Sequence, residues 1–195
     1  MNTTEEIAAA AARLIVDEGM DWGPAKQRAA RDLGAPRAAL PGNDEVEDAV
    51  REHIAIFHAD TQPAELRALR ELAAVWMARL AEFRPHLTGA VWRGTATRLS
   101  NIHLQLYCDD SKAAEIALLD RGVDFDTAET QGPRGRTVDM LVLDAPCPAL
   151  QERVTICLTI LDFDDLRGAL KPDARGLTER GDLGTLQILL EESQA

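Results

Sequence analysis

Residues 94–103, Gly-Thr-Ala-Thr-Arg-Leu-Ser-Asn-Ile-His, hold the chain's densest set of side chains able to do chemistry. Gly94 permits a close backbone approach, and the Thr95 hydroxyl with main-chain N–H groups can hold an anion. Arg98, with Arg93 just ahead of the turn, supplies counter-charge for a phosphate. Ser100 leads into Asn101 and His103, which stand two residues apart. On a strand that spacing turns both side chains to one face. The candidate ligand-binding set is therefore Gly94, Thr95, Arg98, Ser100, Asn101 and His103. An amide oxygen is a weak, neutral ligand for Mg²⁺, and imidazole suits softer metals. Ser100 has no clear His/Asp partners, so no hydrolase nucleophile emerges. Taken without their context, Gly94-Thr95 reads as an ordinary turn and His103 as a polar residue on a half-buried strand.

The elements around this segment change period near residue 87. Before it the chain reads as four helices. Thr3 with Glu6 has the spacing of a capping box, and Gly19 ends the first helix. Gly23-Pro24 opens a second, closed by Gly34, and Asn43 starts a third with Val46, Val50, Ile54 and Phe57 on one face. Pro63 starts the fourth, whose stripe runs Leu66, Leu69, Leu72, Trp76, Leu80, Phe83 up to Pro85. Lys26, Arg28 and Arg31 on the second helix read as a solvated face. After Pro85 the alternation becomes that of strands: Gly89–Arg93, Asn101–Tyr107, a weak one at 123–130, Thr137–Leu143 and Arg153–Leu161. Ser111 starts a helix between them, with Asp109-Asp110 as capping carboxylates at its N-terminus, and Asp182 caps a final one. The expected fold is α+β, with a helical region over 1–86 and a core of four or five strands in a mixed sheet over 87–195. Trp76, Phe83 and Trp92 are expected in the core. Asp162, Asp164 and Asp165 lack the glycine and bidentate Glu of a calcium loop and read as a solvated turn.

The 195 residues carry 33 acidic and 21 basic side chains, a formal net charge of −12. That balance argues against a broad grip on nucleic acid, which needs clustered Lys and Arg on phosphates. A local basic pocket for one phosphate survives the objection. Cys108, Cys147 and Cys157 are an odd number at wide spacing, so neither a disulfide framework nor a cysteine zinc site follows. His103 with Cys157 would make a soft-metal pair only on neighbouring strands. The acidic start and the lack of a long apolar run lead to the expectation of a cytoplasmic protein without a membrane segment.

The run Gly94–Tyr107 resembles the core of the nucleotidyltransferase superfamily, the polymerase-β-like minimal fold. There a strand leads into a Gly-Ser turn, and the next strand carries Asp-x-Asp in a context such as Ser-Asp-Ile-Asp-Leu. The chain is also similar to a set of proteobacterial nucleotidyltransferase-like proteins. They share an "AKxxAAxxLG" stretch, here Ala25–Gly34, and a segment near "GTAxRxSDIHLxLF", here Gly94–Tyr107. The resemblance implies a phosphate cradle at Gly94-Thr95, two strand carboxylates clamping Mg²⁺, and a third carboxylate from a neighbouring strand. Asn101 and His103 stand where the Asp pair belongs. Thr155 is the counterpart of the third position, with Asp139 or Asp144 as compensating carboxylates. Mg²⁺ is implied only if such an altered site is active.

Three readings follow. The first is a catalytically degenerate nucleotidyltransferase-fold protein, a pseudoenzyme that binds a nucleotide, another phosphorylated small molecule or a protein partner. The second is an active nucleotidyltransferase with an altered metal site. The third is an interaction module whose helical region forms a homodimer or partner surface.

Overall fold

The computed structural model describes residues 2–194 and divides into two compact units. One runs through Leu66 and takes in Thr95–Ser100; the other comprises Arg67–Gly94 and the chain from Asn101 onward.

The first unit is helical: α1 (Thr3–Glu18), α2 (Trp22–Asp32), α3 (Asn43–Phe57) and the opening turn of α4 (Gln62–Arg79). The capping box lies one residue earlier than the expected Thr3/Glu6 pair. Asn2 Oδ1 accepts from the Glu5 N–H at 2.9 Å, and the Glu5 carboxylate accepts from the Asn2 N–H at 3.0 Å, which satisfies two orphan donors reciprocally. Gly19, at φ +69°, closes α1: its N–H reaches Ile15 O, and Met20 N–H reaches Leu14 O. That is the paired-bond ending that favours glycine. A Cβ at Gly19 would also stand 3.1 Å from Leu99 Cβ, because the 95–100 segment packs on this end of α1. The core is built from small residues. Ala11, Ala25, Ala29 and Ala30 pack with Ile7 and Leu14, while Ala8, Ala12 and Val16 of α1 meet Val46, Val50 and Ile54 of α3. Lys26 and Arg28 on α2 are engaged by Asn43 and Glu18, as a solvated polar face would have it.

The second unit holds the rest of α4, β1 (His86–Thr88), α5 (Gly89–Arg93), β2 (Ile102–Tyr107), α6 (Ala113–Asp120), β3 (Asp126–Gln131), β4 (Thr137–Cys147), β5 (Glu152–Leu161), β6 (Arg180–Gly181) and α7 (Leu183–Glu192). The α+β expectation holds. The strands form one mixed sheet in the order β3-β4-β5-β2-β1-β6, with β2 and β5 parallel and every other neighbour antiparallel. Six strands replace the four or five expected, because His86–Thr88 and Arg180–Gly181 are too short to show a period. Its margins are β3, six residues carrying Asp126 and Glu129, and β6, only two residues long.

Gly89–Arg93 is a helix, not the strand that Ala90-Val91-Trp92 suggested. Gly89 at φ +73° leaves the extended path after Thr88. At the other end Arg70 of α4, 9% exposed, donates Nε to Val91 O and Nη2 to Trp92 O, both at 2.9 Å. The guanidinium satisfies carbonyls that a five-residue helix leaves orphaned. Trp92 is buried, and its indole N–H donates to Thr178 O at 2.8 Å. A Cβ at Gly181 would stand 2.0 Å from Cη2 of that indole, so β6 passes the ring only as glycine.

One sheet face is apolar through its middle: Leu87, Ile102, Leu104, Leu106, Leu141, Leu143, Ile156, Leu158 and Ile160 are all buried. Trp76 and Phe83 are buried as expected. Of the capping candidates before α6 it is Asp110 that supports the helix start, its carboxylate accepting from the Lys112 N–H at 2.9 Å. Asp182 caps α7, accepting from Thr185 N–H at 2.9 Å. Asp162 and Asp165 both hold Arg136, at 3.0 and 2.6 Å, so that turn is an ion-pair anchor as well as a solvated bend. Among the described residues no helix is long and apolar enough to cross a membrane.

Candidate functional site

The opposite face of the sheet carries Asn101 and His103, and strand register fixes its composition. Ile102 pairs with Ile156 and His103 with Cys157 across the parallel strands, while Asp144 pairs with Thr155 and Val142 with Cys157. Register partners share a face, and alternate residues along a strand do too. Asn101 immediately precedes β2; continued by one residue, the register sets it against Thr155, the partner of Asp144. The next row is Asp126, Val142, Cys157, His103 and Thr88, and the next Ala128, Met140, Thr159, Gln105 and His86. Asn101 and Asp144 are exposed, Thr155 and His103 half-buried, and Cys157 buried. This is an open, polar surface.

The Asp144 carboxylate is tied to its neighbour: Thr155 Oγ1 donates to Asp144 Oδ1 at 2.8 Å. His103 lies under the start of α5, where a Cβ at Gly89 would touch its ring carbons at 3.6 Å. Toward β1, the Tyr107 hydroxyl donates to Gln105 Oε1 at 3.1 Å, and His86 meets the Tyr107 ring edge-on at 5.2 Å. Burial pushes the Tyr107 hydroxyl above its ordinary range, against the opposing charge of Arg180. Tyr107 is therefore a neutral hydrogen-bonding group.

Asp139 is on the other face. It lines a cleft with Lys112, Glu115, Thr127, Glu129 and Leu141 beneath α6. The sheet thus separates Asp139 from Asn101 and His103, and leaves Asp144 as the carboxylate of their row. His103 and Cys157 are direct register partners. Among the described residues, however, the sole group of three His, Cys, Asp or Glu ligand atoms close enough to share a metal lies elsewhere.

The six sequence candidates divide between the units: Gly94, Asn101 and His103 belong to the sheet unit, and Thr95, Arg98 and Ser100 to the helical one. Gly94, at φ +85°, is the C-cap of α5, with its N–H donating to Ala90 O at 2.9 Å. It ends a helix where a turn between two strands was expected. Thr95 is buried, its hydroxyl without a hydrogen-bond partner. The loop's amides are largely engaged: Thr97 N–H on Ser100 Oγ, Ser100 N–H on Thr97 O, and Arg98 N–H on the Glu65 carboxylate at 3.0 Å. A carboxylate of the protein's own already sits on the loop. Arg93 is paired with Asp173 at 3.3 Å. Backbone hydrogen bonds from Leu177 and Arg175, with Arg93 beside it, hold the Asp173 carboxyl below its usual range despite its desolvation.

Arg70 and Glu65 escaped the sequence reading. Both sit on α4, more than 20 residues from what they bind, and nothing in a helical stripe marks them. In chemical terms the open face offers amides, an imidazole, threonine hydroxyls, a buried thiol and two separated carboxylates, Asp144 and Asp126. That set suits hydrogen-bonded recognition; two-metal phosphoryl transfer needs a denser cluster of oxygen anions. No family model matches the chain, and no match is found among curated proteins or solved structures.

Proposed function

We propose that the chain is a nucleotidyltransferase-fold protein that has lost metal-dependent transfer and binds a nucleotide or another phosphorylated small molecule without a divalent cation. The observation that carries this reading is the parallel pairing of β2 with β5, which gathers Asn101, His103 and Thr155 on one open face with Asp144 as the carboxylate paired to Thr155. The antiparallel β1–β2 pair, joined through α5 and Gly94, supports it, since the resemblance implies two strands around a glycine turn. Amide, imidazole and hydroxyl can bond the ligand's base or sugar.

Calorimetry of the full chain with ATP and GTP, with Mg²⁺ and with chelator, tests this directly. The expected result is equal affinity in both conditions, weakened by roughly 1–3 kcal/mol in Asn101→Ala or His103→Ala. Binding that vanishes with chelator and with Asp144→Asn would instead establish the altered-metal enzyme. Absence of binding in both conditions leaves the interaction module.

A further inference from the structure

In the helical unit, Asp17, His53 and His58 come together although 36 and 41 residues separate the carboxylate from the two imidazoles. Asp17 follows Val16 in the last turn of α1, and His53 precedes Ile54 on α3. Val16 and Ile54 belong to one buried cluster, so core packing fixes both backbones. His58 is the C-cap of α3, its N–H on Ile54 O at 2.8 Å.

His53 Nε2 lies 3.0 Å and His58 Nε2 2.9 Å from the same oxygen, Asp17 Oδ1, and all three ligand atoms fall within 4.8 Å of one another. Around a zinc ion at about 2.1 Å from each ligand, tetrahedral ligand atoms stand about 3.4 Å apart. The two Nε2–Oδ1 separations are already within about 0.5 Å of that spacing.

Electrostatics favour a cation at this point. A carboxylate in the last turn of a helix faces the negative end of the macrodipole, and α1 has no basic residue there. The C-terminal end of α3 arrives at the same place with no basic residue in its last turn either. Two helix C-termini and a carboxylate thus converge. Partial burial would raise the Asp17 pKa, but hydrogen bonds from His58 and His53 outweigh it and hold the carboxyl below its usual range. Access is open, for the side chains of Asp17 and His58 are 40% and 32% exposed and that of His53 14%.

We propose that Asp17, His53 and His58 bind one transition-metal ion of the Zn²⁺ class through Nε2, Nε2 and a carboxylate oxygen. Two imidazoles select this class over Mg²⁺ and Ca²⁺. The ion cross-links the ends of α1 and α3 and leaves its outward position to water. The site is independent of the sheet face and of any nucleotide.

Titration of the full chain with Zn²⁺ by calorimetry, and with Co²⁺ by visible absorption, tests it. The expected result is one ion per chain at micromolar affinity or tighter, with a cobalt spectrum free of thiolate charge-transfer bands. His53→Ala, His58→Ala and Asp17→Ala should each weaken binding by roughly tenfold or more, the scale on which even outer partners of a metal act. As a readout that needs no variant, the imidazole NMR signals of His53 and His58 should shift together on Zn²⁺ addition while those of His86 and His103 stay put. Wild-type protein that takes up no ion, a thiolate spectrum, or undiminished binding in the His53→Ala/His58→Ala double variant would overturn the proposal and leave a hydrogen-bonded staple between two helices.

Discussion

The two units bury different kinds of side chain. The helical unit packs α1 against α2 and α3 largely through alanines, so its helices approach closely and each contact contributes little. The sheet unit buries leucine, isoleucine and tryptophan, and its order depends on a few large groups fitting one another. Small-residue cores are sensitive to added volume and to backbone freedom; large-residue cores are sensitive to removal. The same contrast holds for chemistry. On the sheet, residues two apart share a face by local geometry alone, whereas the Asp17 cluster exists only because distant helices pack.

Leu104→Ala gives the largest loss. Leu104 is fully buried in the central parallel pair, and truncation should cost about 3–4 kcal/mol in denaturant unfolding. Gly181→Ala comes next, at about 2–3 kcal/mol, because the new methyl meets the Trp92 indole, whose N–H is anchored on Thr178. A near-neutral result at Gly181 would mean that the ring moves freely and that the large-residue core is looser than described. Asp182→Ala should cost about 1 kcal/mol through loss of the α7 cap. The backbone and hydroxyl hydrogen bonds from Thr185 lower the Asp182 pKa. A depressed carboxylate pKa stabilises the fold above the unfolded value and ceases to do so as pH falls through the folded one. The gap between wild type and Asp182→Ala should therefore be constant near neutrality and narrow below about pH 4. Ala29→Gly should have a similarly small effect, about 1 kcal/mol in thermal or denaturant unfolding, from backbone entropy in α2 and the loss of one methyl. If Ala29→Gly cost as much as Leu104→Ala, the contrast between the two cores would fail.

Periodicity revealed most of this architecture. The alternation of 101–107 and 153–161 located β2 and β5, and Gly19, Gly34 and Asp182 marked helix ends by their own backbone chemistry. What stayed hidden depends on partners far along the chain. Ala90-Val91-Trp92 has strand-like composition, and five residues are too few to display a helical period; the buried Arg70 guanidinium completes that helix from α4. Asn101 and His103 could be nominated from types and spacing, Thr155 and Asp144 only through the family resemblance. The parallel register that aligns them, and the face change that removes Asp139, required the fold. The Asp17 cluster left no trace in spacing, because its members meet through packing of α1 on α3.

The margins of the sheet bear on how the protein behaves when crowded. Exposed strand edges are templates on which a second chain can continue the hydrogen-bond ladder, the usual route to ordered aggregates. Here one margin, β3, carries Asp126 and Glu129 along a solvent-exposed strand, and the other, β6, offers only Arg180 and Gly181. Copies that meet edge to edge bring carboxylates together on one side and find too short a ladder on the other. The chain is thereby protected against runaway strand addition at high concentration, and self-association through the sheet would have to use a face rather than an edge.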